Sequence, residues 1–185
     1  MSIVTPCSQC QGHCCTRYSI EVTVHDLVRI ATALDVPAAS LCDTVPSWEG
    51  RCPIVPSRIG GRPVNVVVSK VQTGCRFYRD GVGANCAIYP LRPGSCAVFP
   101  YFGGADLVLQ RDAEGLPCPA PWLPEHRPPT VATDLDVLIA DIAVHNRLVD
   151  DLNGRVDDSI ELTGYLELLL EAFGSHRGSP AVIGP

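Results

Sequence analysis

The chain has 185 residues, 46% of them hydrophobic, and carries 14 basic against 20 acidic side chains for a net charge of −6 at pH 7. That apolar fraction supports a packed core and excludes wholesale disorder, and the length suits one compact domain with a tail. The acidic balance argues against a dedicated nucleic-acid binder, which carries a basic face. Lys70 is the sole lysine, so Schiff-base chemistry has a single candidate. No apolar run approaches the ~18 residues a membrane span needs. The opening MSIVTPCSQC has neither the basic start nor the long apolar stretch of a secretory leader. The expected setting is the cytoplasm, away from membranes, where thiols stay reduced.

In chain order, the spacing of Leu27, Ile30, Ala31 and Leu34 predicts a helix over Thr23–Asp35, with Thr23 and Asp26 as a capping box and Pro37 as its stop. Residues 40–62 are rich in Pro, Gly and Ser and read as irregular. The β-branched run Val64–Val71 predicts a strand, with Gly60-Gly61 as the turn before it and Asp106–Gln110 as its partner. Six prolines over 116–130 predict a surface linker. Two helices follow. Thr133–Asn153 places Leu135, Leu138, Ile139, Ile142 and Val149 on one face. Asp158–Phe173 is capped by Asp158 and Glu161, ends at Gly174, and turns Leu162, Tyr165, Leu166, Leu169 and Phe173 toward the preceding helix. The expected fold class is therefore α+β and mainly helical. A metal-knit cysteine-rich part with a small β element (1–120) is packed by two antiparallel C-terminal helices (131–174). These form a single domain over 1–174, with a flexible tail at 175–185.

Ten cysteines are the outlying number, and in a reduced compartment clustered thiols read as metal ligands before disulfides. Cys7, Cys10, Cys14 and Cys15 form a C-x2-C-x3-C-C group in which Gly12 permits a sharp backbone. In extended chain the adjacent Cys14 and Cys15 would diverge, which suits two neighbouring centres or two corners of one cluster better than a single ion. A second group comprises Cys75, Cys86 and Cys96, with Cys118 after a further gap. Eight thiolates complete two four-ligand zinc sites, or one cubane iron–sulfur cluster plus a second centre. The aromatics Phe77, Tyr78, Tyr89, Phe99, Tyr101 and Phe102 around the second group suit a dry cluster shell, and equally a plain core. Cys42 and Cys52 fit neither group and read as small buried hydrophobes.

The segments CSQCQGHCC and GCRFYRDGVGANCAIYPLRPGSCAVFP resemble the YkgJ-like family of zinc- or iron-chelating domains, named for a CxxCxxCC motif and related to flagellin lysine-N-methylases. The resemblance runs over roughly 7–120. It departs in the three residues between Cys10 and Cys14 and in Ala120 after Cys118-Pro119, where glycine is usual. It implies metal chelation by Cys7, Cys10, Cys14, Cys15, Cys75, Cys86, Cys96 and Cys118. The methylase branch adds a [4Fe-4S] centre and S-adenosylmethionine as cosubstrate. Against a methyltransferase, the chain has no G-x-G-x-x-G loop, and the radical-SAM order C-x3-C-x2-C is reversed.

In YPLRP the prolines stiffen a segment that presents Tyr89 and Arg92 as cofactor-binding candidates. The guanidinium would offset thiolate charge or hold an acidic ligand, with an ordinary salt bridge as the bland alternative. The tyrosine would donate to a sulfur or a substrate, or simply pack. Arg17, Tyr18 and Asp26 follow the first group closely and are outer-shell candidates. A hydrolase triad is disfavoured by the lack of a G-x-S-x-G elbow. Three readings stay open, with the first ahead: an iron–sulfur redox or group-transfer enzyme, a structural zinc module that binds a protein or peptide, and a metal chelator or sensor using His13 and His25. The substrate, small molecule or peptide, stays open too.

Overall fold

The computed structural model describes residues 12–47, 53–71, 74–79, 86–99, 101–102, 108–109 and 131–178. In chain order they form α1 (His13–Arg17), α2 (Val24–Leu34), a 3-10 turn (Ala38–Leu41), β1 (Cys42–Pro46), β2 (Ser57–Ile59), β3 (Arg62–Val68), β4 (Lys70–Val71) and β5 (Gly74–Cys75). A second 3-10 turn (Tyr89–Leu91), α3 (Gly94–Val98), β6 (Tyr101–Phe102), β7 (Val108–Leu109), α4 (Val131–Asn153) and α5 (Leu162–Gly178) follow. Helices with small sheets make this an α+β fold. The chain divides into two compact units, the first of Met1–Val22 with Val67–Ala140 and the second of Thr23–Val66 with Asp141–Pro185.

In the second unit α2 starts where the sequence places it. The Thr23 hydroxyl accepts from the Asp26 amide at 3.2 Å, and the Asp26 carboxylate accepts from the Thr23 amide at 3.2 Å. Each bond satisfies one of the amides a helix start leaves without an intrahelical partner. Asp35 then adopts a left-handed conformation that closes the other end. Val24, Leu27 and Ile30 are buried. Gly60 and Gly61, at φ 58° and 69°, make the two-residue turn that pairs β2 with β3 in the register Ser57↔Val64 and Ile59↔Arg62. The sheet order is β1-β3-β2.

Several expectations are corrected. The span 40–62 is not wholly irregular, because it holds β1 and β2. Their pattern is weak because hydrogen bonds from α4, rather than apolar alternation, hold the chain that leads into β2. The strand predicted over Val64–Val71 is divided into β3 and β4 at Ser69, whose carbonyl accepts from the Arg76 amide. Its predicted partner Asp106–Gln110 supplies β7, which pairs with β6; the glycine turn makes β2 the local and entropically cheaper partner of β3. Helix α5 starts at Leu162 rather than Asp158. Asp157 instead accepts from the Ser159 amide, and Asp158 pairs with Arg58 at 2.7 Å. The helix also runs past Gly174 to Gly178. One helical glycine costs about 1 kcal/mol, too little to end a helix that buries Tyr165, Leu166, Leu169 and Phe173.

The nearest backbone neighbours of α5 are α2 and the first 3-10 turn, while its link to α4 is the hydroxyl of Tyr165 donating to Asn153 at 3.0 Å. On α4 the buried stripe runs Leu135, Leu138, His145, Val149 and Leu152, and Ile139 is 49% exposed. The linker at 116–130, Cys52 and residues 179–185 lie outside the described residues. Among the described residues, no helix is long and apolar enough to cross a membrane.

Candidate metal centre

The first unit gathers five cysteines: Cys14 and Cys15 on α1, Cys75 on β5, Cys86, and Cys96 on α3. Helix α1 is set by Gly12, which is buried in the left-handed region at φ 73°, ψ 32°. Any Cβ there would also run into the Tyr78 ring, so the position excludes other residues on two grounds. Gly74 lets β5 approach α1 closely; a Cβ on it would lie 3.1 Å from the Cys15 carbonyl oxygen. Two glycines thus bring Cys14 and Cys15 against the strand that carries Cys75. The adjacent pair is helical rather than extended, and its sulfurs are 4.0 Å apart. The divergence expected of an extended chain therefore does not apply to them.

Cys75 and Cys86 share one local construction. In C-R-F-Y the amide of Phe77 is directed at the Cys75 sulfur while that of Tyr78 donates to the Cys75 carbonyl at 2.9 Å, and in C-A-I-Y the amide of Ile88 is directed at the Cys86 sulfur. In both the donor two residues on is the amide of a buried apolar residue, Phe77 or Ile88. The two turns are joined by the Tyr78↔Cys86 bridge and by the Ala87 amide donating to the Phe77 carbonyl at 2.8 Å. Amides directed at sulfur favour the thiolate, because hydrogen bonds to the charged form stabilise it. Cys96 is placed by α3, where Pro93 caps the helix and its carbonyl accepts the Cys96 amide at 2.9 Å.

The electrostatics tie the five together. Burial is the first cause pushing the Cys75 thiol up, and the charge of Cys86 adds to it against the pull of the Phe77 amide. Burial likewise pushes Cys86 up, opposed by the Ile88 amide and then by Arg92 and Arg79, with Cys14 adding to the rise. In the adjacent pair the hydrogen bond from Cys15 lowers Cys14 to about 7. The same bond pushes Cys15 up, reinforced by burial and by the charges of Cys14, Cys75 and Cys96. Thiols that raise one another in this way are relieved by a cation among them.

Arg92 and Tyr89 meet each other. The guanidinium stacks on the tyrosine ring at 4.1 Å and donates to its carbonyl at 2.9 Å. Arg79, which the sequence reading passed over, shares the electrostatic environment of Cys86 with Arg92; its position four residues beyond a cysteine was the available signal. Asp26, the outer-shell candidate, belongs to the second unit, where it caps α2 and pairs with Arg29 at 2.8 Å. Tyr18 contacts the Phe99 ring at 6.4 Å between centroids, and Arg17 closes α1. His25, a ligand candidate, faces Asp141 at 3.4 Å in the second unit. The His13 side chain, Cys7, Cys10 and Cys118 lie outside the described residues.

The donors present, soft thiolates in a half-buried setting with amides aimed at sulfur, suit zinc or iron in kind. Among the described residues no three Cys, His, Asp or Glu side chains converge closely enough to hold an ion by themselves. Residues 6–118, more than half the chain, match the CxxCxxCC family, described as "Putative zinc- or iron-chelating domain". No curated protein and no solved structure matches the chain.

Proposed function

The chain belongs to the CxxCxxCC family of cysteine-cluster, metal-chelating domains, and from that membership we propose an iron–sulfur protein with redox or group-transfer activity. The observation that carries this reading is the repeated turn at Cys75 and Cys86, in which backbone amides are aimed at each sulfur. Such hydrogen bonds set the charge and potential of a thiolate-bound centre. Cys14, Cys15, Cys75, Cys86 and Cys96 would hold the centre together with Cys7, Cys10 and Cys118, one functional domain over 1–174. When bound, a [4Fe-4S] centre supplies one-electron chemistry or an open iron site. The chain's own residues exclude water through Phe77, Ile88 and Val98, which are buried, and place the Arg92 charge beside Cys86. A methylase-like transfer with S-adenosylmethionine belongs to this reading, in a reduced cytoplasmic setting.

One observation favours zinc as a second reading. Two thiolates on one tetrahedral zinc lie about 3.8 Å apart, from Zn–S bonds of about 2.3 Å. The Cys14 and Cys15 sulfurs are 4.0 Å apart, closer than thiolates on separate iron corners. The centre would then be closed, and metal binding would add to folding stability.

Anaerobic purification with visible absorption and quantified iron, zinc and acid-labile sulfide decides between the two. A brown protein with about four irons and matching sulfide supports the first reading. A colourless protein with about one or two zincs supports the second. Absence of metal from the freshly isolated protein overturns both. Cys86→Ser is expected to lose metal and Cys42→Ser to keep it; equal metal content in the two would undo the site assignment.

A further inference from the structure

Cys14 and Cys15 differ from the other described thiols of the first unit. Cys75, Cys86 and Cys96 come from separate short segments, whereas this pair shares one helix, both side chains half-buried. The helix is pinned on either side of the pair. The Thr16 amide donates to the Gly12 carbonyl at 3.0 Å, and the Tyr18 amide to the Cys14 carbonyl at 3.0 Å. Gly12 is held left-handed against the Tyr78 ring, and Gly74 seats β5 against the Cys15 backbone. The two sulfurs are thereby presented 4.0 Å apart. That separation suits a bridging atom rather than a direct bond. A disulfide needs about 2.05 Å between sulfurs and about 4.4 Å or more between Cα atoms, while neighbouring Cα atoms are about 3.8 Å apart. Closing the pair to a disulfide would therefore unwind α1. Two sulfurs bonded at about 2.3 Å to one shared atom lie about 3.5–3.8 Å apart, from pyramidal to tetrahedral angles, and a small χ1 change covers the difference. A tetrahedral zinc ion needs two further donors. Among the described residues no three Cys, His, Asp or Glu side chains converge closely enough to hold an ion. A centre that takes two thiolates and no more needs nothing beyond this pair.

We propose that Cys14 and Cys15 form a capture site for trivalent arsenicals that carry one carbon substituent. When the oxide R–As=O meets the pair, two As–S bonds form and both thiol protons leave with the arsenic-bound oxygen as one molecule of water. Arsenic stays trivalent throughout, so no oxidant or reductant is consumed. Its third bond is to carbon, which closes the centre to further thiols. Arsenic–sulfur bonds are similar in length to zinc–sulfur bonds, so the 4.0 Å span of the pair accepts the atom with the helix intact. Once the first bond has formed, the second is intramolecular, and a helix pinned at both ends loses little further freedom in making it. The inference goes beyond the iron–sulfur and zinc readings and depends on neither, because it uses these two thiols and no other donor.

The test titrates phenylarsine oxide onto the full chain, as isolated and after chelator treatment, with far-UV circular dichroism confirming each fold. Intact mass counts the adducts, and thiol titration counts the cysteines consumed. The expected product is one adduct that consumes two thiols, withstands excess glutathione and is removed by 2,3-dimercaptopropanol. Alkylation of the parent adduct with N-ethylmaleimide and peptide mapping is expected to label Cys75, Cys86 and Cys96 and to spare Cys14 and Cys15, a readout that needs no variant to fold. Cys14→Ser and Cys15→Ser are each expected to weaken capture about a hundredfold or more, the gain that intramolecular closure supplies, and Cys42→Ser to change it less than about twofold. Gly12→Ala, which alters the helix and no thiol, is expected to weaken it severalfold. Protection of other cysteines in place of this pair overturns the proposal, as does parent-like affinity in either serine variant. Parent-like affinity in Gly12→Ala overturns it too, since adjacency in sequence would then suffice. Metal content is measured on the same samples. Arsenical capture by a chain isolated without metal removes the metal reading alone, and metal binding without capture removes this one alone.

Discussion

His145 is 3% exposed, and its Nδ1 accepts the Val24 amide at 3.0 Å. The imidazole is therefore neutral, with its proton on Nε2, and supplies the first turn of α2 with an acceptor that the capping box does not provide. Burial, and then the neighbouring His25, lower its pKa from 6.5 to about 4; the positive end of α2 opposes an imidazolium in the same sense. Since the folded value lies below the unfolded one, this contribution is fully present above pH 6.5 and is lost as pH falls toward 4. Its size is on the order of 3 kcal/mol. Urea unfolding at pH 7 and pH 4.5 should show the loss in the parent chain and a flatter response in His145→Gln; parallel curves would contradict the assignment. Cys42 is likewise buried. At 5% exposure in the second unit, it should lose about 1 kcal/mol or more as serine through the buried hydroxyl, while metal content is unchanged.

Between elements, the second unit is held by two asparagines two turns apart on α4. Asn146 accepts the Val55 amide at 2.9 Å and donates to the Pro53 carbonyl at 2.8 Å. Asn153 accepts the Arg58 amide at 2.7 Å and the Tyr165 hydroxyl at 3.0 Å, and donates to the Pro56 carbonyl at 2.9 Å. Side-chain amides here do what a neighbouring strand would do, giving residues 53–56 and the Arg58 amide partners that the β2–β3 ladder does not supply. Asn153→Ala removes three bonds and leaves the fully buried Tyr165 hydroxyl short of its acceptor, a loss of about 2–3 kcal/mol. The midpoint of chemical unfolding should fall accordingly, and Tyr165→Phe should cost less than Asn153→Ala. An unchanged midpoint in Asn153→Ala would show that β2 is held by the glycine turn alone.

On the scale of the whole molecule, metal loading couples to protons. Cys15 is pushed up first by its hydrogen bond with Cys14 and then by burial, and Cys75 and Cys86 first by burial, with the charges of surrounding thiols adding in each case, so at neutral pH they carry protons that a metal must displace. Zinc added to the metal-free chain in weak buffer should release protons. Affinity in competition with a chelator should fall as pH drops from 8 to 6, about tenfold per unit for each proton displaced. A pH-independent affinity would contradict a thiolate site.

The sequence alone determined the family, the soft-donor chemistry and the main helices, because these rest on local information. Cysteine spacing, the Thr23–Asp26 box and the 3.6-residue periods of α2, α4 and α5 are each contained in a short window. The Gly60-Gly61 turn was legible for the same reason, since two positive φ angles call for glycine. Tertiary structure alone decided the rest. That His145 rather than Ile139 continues the buried stripe of α4, and that Asn146 and Asn153 support the 53–58 segment, depend on partners roughly 90 or more residues away or on the exact phase of a helix. Within the site, the sequence could count the thiols but could not aim them. The left-handed Gly12 against Tyr78, the close approach of Gly74 to Cys15, and the bridge that joins the Cys75 and Cys86 turns arise only when separate segments pack. Only that packing turns adjacent cysteines toward one another and sets Arg79 and Arg92 beside a sulfur.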